Sequence, residues 1–195
     1  MSNPPLSVCV FCGSRPGLSE AYTEDARALG ALFAERGWRL VYGAGDIGIM
    51  GEVARSALAE GADVFGVIPT HLLQAEKGNR SLGTLVVTET MHERKKVMFT
   101  NSDAVVVLPG GAGTLDEFFE VLTWRQIGLH GKPIFLLNTD GFWTPLIALV
   151  DHVIAQGFAA PSLRSFFKPV DSVTALDAEL CAVSARRSIA TQTAL

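Results

Sequence analysis

The chain of 195 residues carries 16 Lys+Arg against 20 Asp+Glu, a formal net charge of −4, and is 48% hydrophobic and 18% charged. That is the length of one domain with ample apolar material for a core, which excludes a disordered polyelectrolyte. A net-acidic chain lacks the clustered cations of a nucleic-acid backbone binder, and its most apolar stretch, 133–150, is interrupted by Asn138, Asp140, Gly141 and Pro145, too often for a membrane span.

Short apolar runs alternate with amphipathic segments along the chain. The runs begin at Leu6, Trp38, Ala62, Thr84, Ala104 and Pro133, and most are rich in Val, Ile or Leu without polar alternation, as in strands covered on both faces. Helical patterns fill 19–36, 50–60, 91–101, 114–127 and 142–156, with Gly37, Gly61 and Gly157 placed to end three of them in a left-handed cap. This alternation predicts an α/β fold, a Rossmann-like, doubly wound parallel sheet with helices on both faces. A single domain is expected over 1–183, with a flexible tail over 184–195 and a surface loop, carrying a short helix, over 71–82. The opening residues lack the basic segment of a signal peptide, so a cytoplasmic protein is expected, with no nucleic-acid or membrane partner.

Cys9 and Cys12 form a C-x-x-C, a spacing used in redox and zinc sites. Both lie in the first strand run, where residues three apart face opposite sides, and no second pair follows, so core packing is the expected role. The glycines are more telling. Ligands of doubly wound sheets bind at the carboxyl ends of the strands, and three strand-to-helix loops here are glycine-rich: 12–17, 43–51 and 109–117. Glycine lets backbone N–H groups close on an anion, and a following helix adds partial positive charge, which makes Gly13, Ser14, Gly45 and Gly110 to Thr114 candidates for holding a phosphate. The G-x-G-x-x-G from Gly43 to Gly48 follows the second strand and lacks an acidic residue at the end of the next one, so a whole dinucleotide is not expected. The pattern suggests one phosphate and one sugar.

Two charged groups complete the candidate site. Glu117 stands three residues after Thr114, which fits a capping box; the alternative is a carboxylate held beside the phosphate cradle to face the ligand's reacting carbon. Asp116 and Glu120 compete for that part, the first offset by about 100° around the helix and the second one turn further on. In Met91-His92-Glu93-Arg94-Lys95-Lys96, cations crowd a helix start, where the helix dipole disfavours them. Either they form an ordinary solvated face, or an anionic ligand or a carboxylate such as Glu117 draws them there; His92 could serve as a base or as a surface residue.

The motif Pro109-Gly110-Gly111-x-Gly113-Thr114-x-x-Glu117, together with Met91-His92-Glu93-Arg94-Lys95, resembles the Lonely Guy (LOG) family of cytokinin riboside 5′-monophosphate phosphoribohydrolases, often labelled lysine decarboxylases. The likeness also takes in Phe11-Cys12-Gly13-Ser14, Gly48-Ile49-Met50-Gly51, Trp124, Gly128 and Asn138-x-x-Gly141-Phe142-Trp143. It implies a homodimer that cleaves the N-glycosidic bond of a nucleoside 5′-monophosphate such as AMP, releasing free base and ribose 5-phosphate, with no metal or organic cofactor. The resemblance puts the catalytic pair on Arg94 and Glu117. It puts substrate contacts on Met91, Lys95, Gly111, Ala112, Gly113, Thr114 and Thr123. Ala44 departs from the third glycine common in that loop of the family. The competing expectations are a non-catalytic carrier of a nucleotide or of molybdenum cofactor, which would not need the Arg94–Glu117 pair, and a pyridoxal-phosphate decarboxylase, for which no lysine stands in a recognisable Schiff-base context.

Overall fold

A computed structural model describes residues 4–73 and 84–193. Seven parallel strands form one sheet: β1 (Ser7–Phe11), β2 (Arg39–Tyr42), β3 (Asp63–Pro69), β4 (Thr84–Thr88), β5 (Ala104–Val107), β6 (Ile134–Leu137) and β7 (Lys168–Val170). Their order is β4-β3-β2-β1-β5-β6-β7, so the chain winds outward from β1, returns, and winds out the other way. The reversal lies between β1 and β5, paired in register from Val8↔Ala104 to Phe11↔Val107, and a crevice opens at such a reversal. Six strands match the expected runs. The seventh is three residues, Lys168-Pro169-Val170, too short to carry a pattern, and an edge position tolerates its proline.

Helices α1 (Glu20–Arg36), α2 (Gly48–Ala59) and α7 (Val173–Thr193) cover one face, burying Leu29, Phe33, Ile49, Val53, Leu176 and Leu180. Helices α4 (Met91–Thr100), α5 (Ala112–Gln126) and α6 (Thr144–Ala155) cover the other with Met98, Phe118, Val121, Leu122, Leu146 and Val150. The pleat of β1 divides its side chains between these layers, so Cys9 packs in one core and Cys12 in the other, both as free thiols. Helix α1 is closed by its own sequence: the Ser19 hydroxyl accepts from the Ala21 N–H, and Gly37 ends it at φ 62°. Gly61 and Gly157 take the same left-handed region.

One expectation fails here. Helix α7 runs on to Thr193 through the stretch expected as a tail, and Arg187 pairs with Asp103 at 2.9 Å, tying that helix to the turn before β5. Within that stretch Ser184 and Ser188 are half-buried and the Ser188 hydroxyl donates to the Ser184 carbonyl of the same helix, so their polarity marked a helix rather than a tail. On α5, Phe118, Val121 and Leu122 are buried in the chain's own core, while Phe119 and Ile127 are exposed. Helix α3 (Thr70–Leu73) opens the 71–82 stretch; the rest of it, Glu76 included, lies outside the described residues.

Candidate active site

The three glycine loops meet at the carboxyl edge of β1, β2 and β5 and lock together. The Gly13 N–H donates to the Pro109 carbonyl at 3.0 Å, and the Met50 N–H donates to the Gly13 carbonyl at 3.1 Å. At Gly48, φ is +60° and a Cβ would overlap the Ser14–Arg15 backbone; at Gly110 a Cβ would reach within 2.8 Å of the Gly13 nitrogen. Gly111 and Gly113 differ: they are exposed, a Cβ on either would meet nothing, and neither has positive φ. Their small size serves no packing within the chain, and both border a cavity of about 540 Å³. Ala44, in the second loop, is fully buried and holds φ at 58°, a left-handed conformation that costs an alanine more than a glycine.

Helix α5 starts at this cavity without a side-chain cap. Its N-cap is Gly111, and Thr114, 3% exposed, is the third residue of the helix, so the Thr114–Glu117 spacing does not make the capping box it suggested. The first-turn N–H groups therefore face the cavity mouth uncapped by any described side chain, which makes an anion site. The capping box of this region belongs to α4, where the Thr90 hydroxyl accepts from the Glu93 N–H at 3.2 Å and the Glu93 carboxylate accepts from the Thr90 N–H at 3.1 Å.

That box fixes the start of α4 and points Arg94 inward. The Arg94 Nε donates to the Val67 carbonyl at 3.1 Å and Nη2 to the Gly43 carbonyl at 3.0 Å; a Cβ at Gly43 would collide with Nη2. Backbone carbonyls at the ends of β3 and β2 thus offset the unfavourable place of a cation in a helix's first turn. The third nitrogen, Nη1, lies 3.7 Å from Glu117 Oε1, with both side chains nearly buried. That gap exceeds a hydrogen bond, so Arg94 offsets the charge of Glu117 without engaging its lone pairs. Burial raises the Glu117 carboxyl to about 7, against the lowering pull of Arg94 and Lys95 and with a smaller push from Asp116 and Glu120. Near neutral pH it is poised between acid and base.

A family model described as "Possible lysine decarboxylase" matches residues 50–180. The chain is 48% identical over 160 residues to a probable cytokinin riboside 5′-monophosphate phosphoribohydrolase of Oryza sativa subsp. japonica, an alignment covering 82% of this chain and 70% of the relative. It is 44% identical over 162 residues to the cytokinin riboside 5′-monophosphate phosphoribohydrolase of Rhodococcoides fascians, covering 83% and 82%, and 42% identical over 160 residues to that named LOG5 of Arabidopsis thaliana, covering 82% and 70%. The chain belongs to the Lonely Guy family. Among solved structures, the Moco carrier protein from Chlamydomonas reinhardtii superposes with a TM-score of 0.72 at 20% identity, covering 94% of this chain and 99% of that one, a likeness of fold.

In this Lonely Guy family member the cavity gathers most of the residues expected from sequence: Gly13 and Ser14, Met91 and Arg94, and the run from Gly110 through Thr114 with Glu117. Three stand elsewhere. Gly45 is buried within its loop, Thr123 is exposed further along α5, and Lys95 is held by Asp116 at 2.9 Å and Glu120 at 3.1 Å. The decarboxylase description finds no neutral amine in Lys95: burial would lower its pKa, but the bonds to Asp116 and Glu120 outweigh that and raise it. Sequence reasoning missed the aromatic wall. Tyr22 from α1 and Phe142 meet edge to face at 5.7 Å and both line the cavity. The signal was the Asn138-x-x-Gly141-Phe142-Trp143 motif: the Asn138 side-chain oxygen accepts from the Trp143 N–H at 2.7 Å, and Asp140 and Gly141 take positive φ, a turn that presents Phe142 to the site. Arg15 and Met50, from two of the glycine loops, also line the cavity, as does Met98, which gave no local signal.

Proposed function

We propose that the protein is a phosphoribohydrolase that cleaves the N-glycosidic bond of cytokinin riboside 5′-monophosphates, of AMP, or of both. The observation that carries this reading is Glu117: a carboxylate 8% exposed, raised to about 7, lining the same cavity as an uncapped helix start and offset by Arg94 without being occupied by it. The first turn of α5 and the open space at Gly111 and Gly113 take the 5′-phosphate, with Gly13, Ser14 and Thr114 beside it. The apolar wall, with Met50, Met91, Met98, Tyr22 and Phe142, takes the base.

As the C1′–N bond breaks, its electron pair leaves with the base, which takes up a proton from solvent, and positive charge develops on the anomeric carbon; the proton that Glu117 accepts from the attacking water returns to solvent and closes the balance. Ionised Glu117 stabilises that charge and accepts a proton from the water whose oxygen bonds to C1′. Arg94 keeps the carboxylate in place and biased toward its ionised form. The residues supply this chemistry without drawing on a metal or an organic cofactor.

Incubating the protein with AMP and with isopentenyladenosine monophosphate and separating the products by chromatography tests the reading; free base with ribose 5-phosphate is expected from at least one. A nucleotide bound and returned intact favours the carrier reading, which rests on likeness of fold. Adenosine, lacking the phosphate, should turn over far more slowly than AMP. The protein further reads as a cytoplasmic homodimer, with Phe119 on α5 and Ile127 and Leu129 just past its end exposed as its contact face; a monomer at micromolar concentration in light scattering refutes that assembly.

A further inference from the structure

Asp116, Glu117 and Glu120 place three carboxylates within little more than one turn of α5, and like charges three or four positions apart on a helix repel. Only Glu117 turns its carboxylate to Arg94; Asp116 and Glu120 converge instead on the Lys95 ammonium, which is 6% exposed. Lys95 follows Arg94 directly on α4, so neighbouring cations from one helix turn meet alternate carboxylates of the other. The ammonium does not line the cavity, and both its partners are carboxylates of the chain itself.

We propose that Lys95 is a positioning residue: it clamps α4 to the start of α5 through Asp116 and Glu120, and so sets where Glu117 stands and how much negative charge surrounds it, without touching the substrate. The proposal rests on the reading of Glu117 as the catalytic carboxylate. The charged and titratable groups acting on Glu117 are Arg94 and Lys95 from α4, Asp116 and Glu120 from its own helix, and the thiols Cys9 of β1 and Cys12 just after it. Those thiols are buried and held protonated, first by burial and then by Glu117, so they add no charge near neutral pH. With Lys95 removed, Arg94 would face three carboxylates alone. Glu117 would ionise at higher pH, and the helix that carries it would lose its tether.

Lys95→Met tests this by separating two kinds of effect. The acid limb of the pH profile of kcat/KM for AMP should move up by about one pH unit and kcat at pH 7 should fall ~5-fold. KM for AMP should stay within threefold. Lys95→Arg should restore most of the activity, and Asp116→Asn with Glu120→Gln in the Lys95→Met background should bring the acid limb back. A KM raised tenfold with an unmoved acid limb makes Lys95 a substrate contact and overturns the proposal; an unchanged enzyme overturns it too. If Lys95→Met does not fold, Asp116→Asn with Glu120→Gln in the otherwise native chain carries the test, and its acid limb should move down. A second readout is independent of turnover: the difference in melting temperature between each protein and its Glu117→Gln variant should develop with pH through the Glu117 pKa, and at higher pH when Lys95 is Met. That measurement stands even if neither nucleotide is hydrolysed, so failure of the proposed activity and failure of the Lys95 assignment are separable.

Discussion

Helices α4 and α5 begin with the same spacing, threonine and then glutamate three residues later, and use it in opposite ways. At α4, Thr90 and Glu93 close on each other, the ring of hydrogen bonds is complete, and Glu93 stays on the surface. At α5 the helix starts three residues earlier than its threonine suggests, at Gly111, which leaves the first-turn N–H groups uncapped by a side chain and carries Thr114 and Glu117 inside. The lesson is that a capping pattern predicts a cap only when the threonine sits outside the helix. Two exposed glycines ahead of it moved the boundary, and with it the glutamate passed from surface to cavity.

Exchanging the glutamates one at a time puts the comparison at risk most directly. Glu117→Gln should lose at least ~100-fold in turnover while still binding AMP, whereas Glu93→Gln should stay within twofold, since glutamine serves a capping box as well. Equal activity in both variants would erase the distinction. Arg94→Ala should lose turnover to a similar degree and also cost about 3 kcal/mol of stability, because it leaves Glu117 buried without its partner. The double variant should lose far less turnover than the product of the two single losses.

Proton linkage sharpens the contrast. Activity carried by ionised Glu117 should rise with pH through about 7, and Glu117→Gln should lack that limb. Stability runs the other way. A carboxyl raised from its ordinary 4.5 to about 7 in the fold favours the protonated native state, so its contribution is present in full below about 4.5 and is lost as pH rises through about 7. Glu117→Gln should therefore be more stable than the parent at pH 8, by ~2 kcal/mol or about 5 °C in melting temperature. Glu93 is exposed, so its exchange should show no such gain. The smallest effect is at the cap: Thr90→Ala should cost about 1 kcal/mol in thermal unfolding with activity retained.

Periodicity made six strands and five helices legible, because strands covered on both faces read as unbroken apolar runs. It could not show β7, which is three residues long, or α7, whose sequence past Leu180 is small and polar like that of a loop. The glycine loops pointed to one edge of the sheet before the sheet itself was visible. What they hid was direction. Nothing local tells that Arg94 turns toward the carbonyls of Val67 and Gly43 while Lys95 turns to Asp116 and Glu120, since each contact joins segments 21 or more residues apart. Tyr22 was hidden for the same reason, whereas the turn around Gly141 carried a local sign of Phe142.

The interlocking of the glycine loops has a consequence for how the molecule comes into being. Gly13 closes against Pro109 and Gly110, nearly a hundred residues later in the chain, and no shorter piece of the protein contains both halves of that contact. During synthesis, β1, β2 and β3 can pair before β5 has been made, but the cradle is complete only when β5 slots in beside β1. Ligand affinity should thus arise in one late step of refolding, after much of the secondary structure has formed. A phosphate-bearing ligand that grips the first and third loops together would slow unfolding by holding the two wings of the sheet at their seam.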